Sequence, residues 1–428
     1  MKIDLSNYNF DVITGAGLCN KIASYGYEAY LVGGCVRDIV METIGVIAKA
    51  DVHDVDIATN MPINELNRKF KTASNNGEAH GTILVEWCGI YFEVTQFRTD
   101  GVYTDGRHPD SVSFTNSFKE DTARRDFTIN AMGIDSKGNV IDYHGGIDDI
   151  NNGVIRTVGN PVDRFSEDAL RIIRACRFAA KFKFTIDPDT CEAIRTTKSN
   201  LTHIAMERVS DELKKCIHYG HEYIAAMWTL MSYFDIFPVI DPNDYINYKK
   251  AGQLLSGRCI RYTNNMGDFF TELGTWTCIL YNSDLKNAYQ YYKLENNTFK
   301  CTQWCSNHIL DFKNIGDSSV AAVDMVNNKY FNQLRELADA VYGHRLKQET
   351  LDRYYKLADV TKDENSILSS AVAKCGYQGK AFGNMLYELR RWHYFNVFHC
   401  LVTNGDYTLV AAEELEKSAI DYINHIKS

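Results

Sequence analysis

Leu31-Val32-Gly33-Gly34-Cys35-Val36-Arg37-Asp38, followed further on by Asp54-Val55-Asp56, is the stretch whose reading decides the fold. An apolar strand stub runs into a glycine pair, then into a helix start with a cation in its first turn. Glycines let the backbone approach a polyphosphate, a helix N-terminus offers free N–H groups, and Arg37 adds a guanidinium. The segment 52–57 alternates as a strand, so Asp54 and Asp56 share one side of it, as a divalent-metal site needs. Asp-x-Asp is also common in surface turns. Beside Gly33-Gly34 and Arg37 the pair reads instead as a metal site next to a phosphate cradle, which implies nucleotidyl transfer. Glu93, on the strand-like Phe92-Glu93-Val94, is either a third carboxylate or an ordinary strand-face residue.

Around this stretch, residues 1 to about 145 alternate strand-like and helix-like segments, with strands expected at 30–32, 52–58, 82–87, 91–97 and 112–114. Asn151-Asn152-Gly153 and Gly159-Asn160-Pro161 are turn signals that close the region. From Asp163 onward the pattern is helical, with no convincing strand series. The expected class is α+β: a small head with a mixed sheet, then a long all-α portion.

At 428 residues the chain holds two to four domains, and 45% hydrophobic with 24% charged content is ordinary for a soluble globular protein. A net charge of −9 means that any nucleic-acid surface must be a local patch. The longest apolar stretch, Ile224-Ala225-Ala226-Met227-Trp228, is too short to span a bilayer, and Met1-Lys2-Ile3-Asp4-Leu5 lacks a signal or transit character. Twelve scattered cysteines without paired spacing fit reduced thiols and a cytoplasmic location. Cys301, Cys305 and His308 stand at helical i, i+4, i+7 spacing, which fits a zinc site but better fits a packed helix face.

Two further blocks carry chemistry. In Arg124-Arg125-Asp126-Phe127-Thr128-Ile129-Asn130-Ala131-Met132, adjacent arginines enter an apparent apolar helix. Cations there oppose the helix dipole, which favours an anion or ribose contact over a solvated first turn. In Glu167-Asp168-Ala169-Leu170-Arg171-Ile172-Ile173-Arg174-Ala175-Cys176-Arg177-Phe178, Asp168 and Arg171 fall together at i, i+3 on a helix. One reading is a helix salt bridge with the remaining arginines solvated. The other is base selection. Cytosine and adenine each present an amine donor beside a ring-nitrogen acceptor, which an aspartate and an arginine complement. Guanine and uracil present the reverse pattern and leave both groups unpaired.

With these blocks in order, the chain resembles the class II CCA-adding tRNA nucleotidyltransferases, which share a DNA-polymerase-β-like head with bacterial poly(A) polymerases. The likeness runs from about Ala29 to Leu213. It includes His80-Gly81-Thr82, Tyr103-Thr104-Asp105-Gly106-Arg107-His108-Pro109, Asp142-Tyr143-His144-Gly145-Gly146 and Glu207-Arg208-Val209-Ser210-Asp211-Glu212-Leu213. The resemblance implies that Asp54 and Asp56 are catalytic and bind Mg2+, and that Gly34 and Arg37 contact the triphosphate. It further implies that Arg125 binds the nucleotide and that Asp168, Arg171, Arg174 and Arg177 read the base. It implies a head at 1–145, a neck at 146–214, a body at 215–310 and a tail at 311–428 in an elongated molecule. The loop 98–112 resembles the family's flexible loop, whereas the connection from Glu42 to His53 is longer than the family's.

The implied activity is template-independent addition of CCA to tRNA from CTP and ATP, gripping the 3′ end and the acceptor and elbow region, with no DNA or membrane partner. A poly(A) polymerase shares the head, and partial enzymes adding only CC or only A share most motifs. The acidic Glu413-Glu414-Leu415-Glu416 and the 103–109 loop favour the CCA reading. A non-catalytic protein on a decayed head would be expected to lack Asp54, Asp56 or Arg125, and all three are present. Arg345, Lys347, Arg390 and Arg391 fit either phosphate contacts or, better, a solvated helix face.

Overall fold

The structure is a computed structural model that describes the 428 residues except 51, 53, 74–80, 102–110, 264–271, 314–324, 343–347, 405–410 and 428. The 103–109 loop, His80, Arg345 and Lys347 therefore lie outside the described residues. The chain forms two compact units, Met1–Asn243 and Asp244–Ser428.

A seven-stranded mixed sheet organises the first unit. It comprises β1 (Ala29–Val32), β2 (Asp56–Thr59), β3 (Lys71–Ala73), β4 (Thr82–Trp87), β5 (Ile90–Gln96), β8 (Met132–Ile134) and β9 (Val140–Asp142) in the order β3-β4-β5-β2-β1-β8-β9. A separate two-stranded ribbon pairs β6 (Arg98–Asp100) with β7 (Val112–Phe114). β2 is central, antiparallel to β1 (Val32↔Asp56) and parallel to β5 (Ile57↔Val94). Leu31, Val55, Ile57, Phe92 and Val94 are buried. Helix α1 (Phe10–Ala23) covers their face closely: a Cβ on Gly15 would stand 3.0 Å from Val55 Cγ1 and 3.3 Å from Phe92. Val32, Ala58, Phe97 and Phe118 form a second cluster, with Tyr30 stacked on Phe118 at 4.3 Å.

The expected strands at 82–87 and 112–114 are found as such. β2 is shorter than expected, and Asp54 precedes it, but the alternation survives: Asp54 and Asp56 are exposed while Val55 and Ile57 are buried. The block 124–132 is a correction. Helix α4 (Phe118–Ala123) ends just before it, Phe127 is extended, Thr128–Asn130 is a single 3-10 turn, and β8 follows. Arg124 thus sits at a helix C-terminus, where the dipole favours a cation, so the expected dipole conflict does not exist.

Beyond the sheet the unit is helical: α5 (Gly146–Asn152), α6 (Pro161–Glu167), α7 (Leu170–Phe182), α8 (Pro188–Thr197), α9 (Met206–Tyr219) and α10 (His221–Tyr233) are its longer helices. Asn160 caps α6 by accepting the Val162 N–H, and Pro161 supplies a preset first turn. Ile172, Ile173 and Cys176 bury one face of α7, while Phe178 turns toward the cavity described below. Two short strands the sequence does not announce, β10 (Val154–Ile155) and β11 (Thr185–Ile186), pair in parallel; two residues are too few to reveal alternation.

The second unit is helical among its described residues. Cys301 and Cys305 are fully buried in its apolar core with Leu334, Leu337 and Leu357. His308 stacks on Trp304 and its Nδ1 hydrogen-bonds the Trp304 carbonyl at 2.7 Å, so the three side chains serve packing. A smaller core joins Leu368, Val372, Leu389, Leu415 and Ile423. Among the described residues no helix is long and apolar enough to cross a membrane.

Candidate active site

Strand β1 delivers Gly33 and Gly34 to the start of helix α2 (Gly34–Thr43). Gly33 adopts φ +80°, a left-handed conformation that favours glycine, and a Cβ there would press on Asp56 Oδ2 at 3.2 Å. Arg37 follows one turn into α2 and is buried. Its guanidinium donates to Asp38 at 2.8 and 3.1 Å and to Asn130 Oδ1 at 2.8 Å, and lies 4.8 Å from the Phe182 ring centre. A cation so fixed needs little rearrangement to meet an anion.

Asp56 faces this glycine turn from the neighbouring strand. Desolvation and the charge of Glu93 push its carboxyl up to about 6, with Asp54 adding to the rise and Arg125 opposing it. Like charges this close favour a bound cation. Among the described residues no group of three or more His, Cys, Asp or Glu is arranged to hold a metal. Magnesium does not need one: it binds through one or two carboxylates together with substrate phosphates, and Asp54 and Asp56 fit that requirement.

A cavity of about 680 Å³ opens above the pair. Every residue expected in the site lines it: Gly34, Arg37, Asp54, Asp56, Arg125, Asp168, Arg171, Arg174 and Arg177. Residues separated by more than 120 positions meet because α7 packs on α9 and its Phe178 and Phe182 rings lie against Arg37 of α2. Arg124 and Arg125 both donate to the buried Asp121, at 2.8 and 3.2 Å. Arg125 Nε has no hydrogen-bond partner among the described residues.

The expected Asp168–Arg171 couple is corrected in its details. Asp168 lies between α6 and α7 in extended conformation, and its carboxylate accepts the Leu170 N–H at 3.0 Å. The same carboxylate takes a forked pair from Arg208, at 2.8 and 3.2 Å. Arg171 instead donates to Glu167 at 2.6 Å and to the Arg164 and Arg124 carbonyls. The two groups line one cavity but hold separate partners.

Arg174 and Arg177 are likewise engaged. Burial alone would raise the Asp126 carboxyl, but the Arg174 charge and hydrogen bonds from Arg174, Asn130 and the Phe127 N–H bring it down to about 2. Arg177 is buried and donates to Glu212 Oε2 at 2.5 Å and to the Tyr219 hydroxyl at 3.2 Å. Glu212 also takes Lys215 at 2.9 Å and faces Arg174 at 3.6 Å. Sequence reading missed Asn130, Arg208 and Glu212 as site residues. The block 207–213 was visible, but their partners lie 35 to 93 positions away, beyond any local spacing rule.

Glu212 should be the most costly of these to lose for stability. Glu212→Ala leaves the Arg177 guanidinium buried without its carboxylate, a loss of about 3–5 kcal/mol. Burial acts against the ionised Glu212, yet Arg177, Arg174 and Lys215 hold its carboxyl below the usual range. The pair's contribution is therefore present above the ordinary glutamate range and is lost as pH falls through the folded value. Thermal melts should show a Tm deficit at neutral pH that narrows in acid; equal melting temperatures at pH 7 would refute the role.

The glycine turn, the acidic pair and the helical wall define the class first: a nucleotidyltransferase-type head. Residues 29–156 match the family described as Poly A polymerase head domain, and residues 183–243 match the probable RNA and SrmB-binding site of polymerase A. Through its N-terminal half the chain is thus similar to the poly(A) polymerase head and its RNA-binding neighbour.

Among relatives, the CCA-adding enzyme of Oceanobacillus iheyensis is 45% identical over 204 residues, 48% of this chain and 49% of that protein. The CCA-adding enzyme of Bacillus subtilis is 46% identical over 206 residues, 48% of this chain and 50% of that one. The match thus spans about half the length of these curated relatives. The crystal structure of the Bacillus stearothermophilus CCA-adding enzyme in complex with CTP has the same fold, with TM-score 0.72 at 24% identity, covering 98% of this chain and 99% of that one. The Thermotoga maritima CCA-adding enzyme complexed with tRNA gives TM-score 0.63 at 19% identity, with coverages of 98% and 99%.

Proposed function

We propose that this protein adds CCA to the 3′ end of tRNA without a nucleic-acid template, using CTP and ATP in the cytoplasm. The observation that carries the reading is that one cavity is lined by the acidic pair, the glycine turn and the Asp168/Arg171 set together. Half-length relatives of 45% and 46% identity that are CCA-adding enzymes support it. The division into head 1–145, neck 146–214, body 215–310 and tail 311–428 belongs to this proposal, as does contact with the tRNA acceptor and elbow region.

Each residue then has a task. The N–H groups at the start of α2, at Gly34 and beyond, receive the triphosphate, and Arg37 adds a fixed positive charge beside them. Arg125 contacts the nucleotide through its unsatisfied edge. Asp54 and Asp56 hold magnesium, which when bound acts as a Lewis acid on the attacking hydroxyl and on the departing pyrophosphate. Asp168 accepts from the exocyclic amine of cytosine or adenine while Arg171 donates to the ring nitrogen. Arg174 and Arg177, tied to Asp126 and Glu212, keep the wall of the base site rigid and positively charged.

The test offers purified protein a tRNA ending at its discriminator base, with each labelled nucleotide alone and with CTP plus ATP. Three residues added only when both are supplied is the expected result. A long ATP-only tail would replace this reading with poly(A) synthesis, and CC or A alone with a partial enzyme.

A further inference from the structure

The acidic pair borders a second cavity, of about 380 Å³, whose character is opposite to the first. Asp11, Asp54, Asp56, Glu93 and Tyr91 line it, and among the described residues no lysine or arginine does. Sheet order separates the two cavities. The glycine turn leaves β1 on one side of β2, while β5 lies on the other. Carrying the Ile57↔Val94 register back along the parallel β2–β5 pair sets Asp56 beside Glu93 and Asp54 beside Tyr91. Partnered residues of parallel strands share a face, so all four side chains stand on the reacting side of the sheet.

Tyr91 is 51% exposed despite its aromatic ring. Its antiparallel partner on β4 is Glu86, whose carboxylate pairs with Lys71. The ring stands on the edge of this pairing with half its surface open. An in-line displacement puts the attacking and leaving oxygens on opposite sides of the phosphorus. With the triphosphate over the basic cavity and the glycine turn, the attacking 3′ hydroxyl arrives from the β5 side. The acidic lining there repels a second polyphosphate but leaves the uncharged base of a nucleotide unopposed.

We propose that Tyr91 is the platform on which the 3′-terminal base of the acceptor RNA stacks, positioning its hydroxyl against the Asp54/Asp56 pair. The inference rests on the nucleotidyl-transfer reading above. An aromatic face suits this step because the acceptor's last base changes with each addition. Stacking accepts every base, whereas a hydrogen-bonding reader on this side would reject most of them.

The test measures kcat/KM for a tRNA acceptor at saturating CTP with the wild type, Tyr91→Phe and Tyr91→Leu, and repeats it with an acceptor whose last residue is abasic. Tyr91→Leu should lower acceptor kcat/KM by about 5- to 100-fold with KM for CTP unchanged, and Tyr91→Phe, which keeps the ring, should stay near wild type. The abasic acceptor should lose a similar factor with the wild type and little more with Tyr91→Leu. Unchanged acceptor kcat/KM in Tyr91→Leu, or the same abasic penalty in both proteins, would overturn the platform. The wild-type penalty needs no variant to fold, and its absence is equally fatal. A wild type that extends no acceptor overturns the transferase reading, and the platform with it.

Discussion

Asp54→Ala or Asp56→Ala is expected to lower nucleotide incorporation by about 10³-fold or more, because cation binding and charge neutralisation at the reacting phosphorus are lost together. The two carboxylates are the acidic groups bordering both cavities, the basic one and the one beside Tyr91. Tyr91, Glu93 and the glycine turn are untouched by either change, so the fold and the proposed RNA surface should survive. Retention of tRNA in a filter or gel-shift assay should stay within about twofold, since neither carboxylate offers a phosphate contact. Asp54→Asn separates charge from volume: it should fail as badly as alanine. Turnover retained in either alanine variant would remove the pair from the chemistry and leave it an ordinary strand-end feature.

The head's share of the cavity lining was legible because its logic is local. Gly33-Gly34-Arg37 and Asp54-Val55-Asp56 each fit within one turn or one strand, where spacing alone dictates which groups share a side. The helical half of the cavity was legible in membership but not in pairing. Asp168 and Arg171 are three positions apart, yet the helix begins only at Leu170; Arg171 turns to Glu167 four positions back, and Asp168 finds Arg208 forty positions on, which local periodicity cannot indicate. Arg124 and Arg125 show the same limit from the other direction. Their apolar sequel, Phe127 to Met132, mimics a helix start, but its residues are buried by β8 pairing with β1 and by contact with the helical wall. Tertiary burial, not helical amphipathicity, accounts for that apolar run. In the second unit the sequence yields helical texture only, because a helix face packed on another helix looks alike whatever the domain does.

Asp168→Ala and Arg171→Ala should each relax discrimination against UTP and GTP by about 10- to 100-fold while catalysis with CTP and ATP persists at a reduced level, since each removes one complementary bond. The geometry adds a condition that spacing alone did not contain. Asp168 is held by the Arg208 fork and Arg171 by Glu167 and two carbonyls, so a base that binds them must exchange those bonds for its own. On the proposed function cytosine and adenine would make good the exchange, because each offers a donor to the carboxylate and an acceptor to the guanidinium. Uracil and guanine offer a carbonyl to Asp168 and an N–H to Arg171, so both protein groups do better keeping their existing partners. On the proposed function discrimination would arise from two sides, a bond gained by the right base and a pre-existing bond the wrong base fails to replace. Arg208→Gln weakens the resident partner and should raise affinity for all bases at Asp168 while narrowing the gap between right and wrong. If Asp168→Ala instead lowers kcat equally for every nucleotide, depresses Tm and leaves selectivity unchanged, the Asp168–Arg208 fork is a structural tie between α9 and the start of α7, and base choice resides elsewhere.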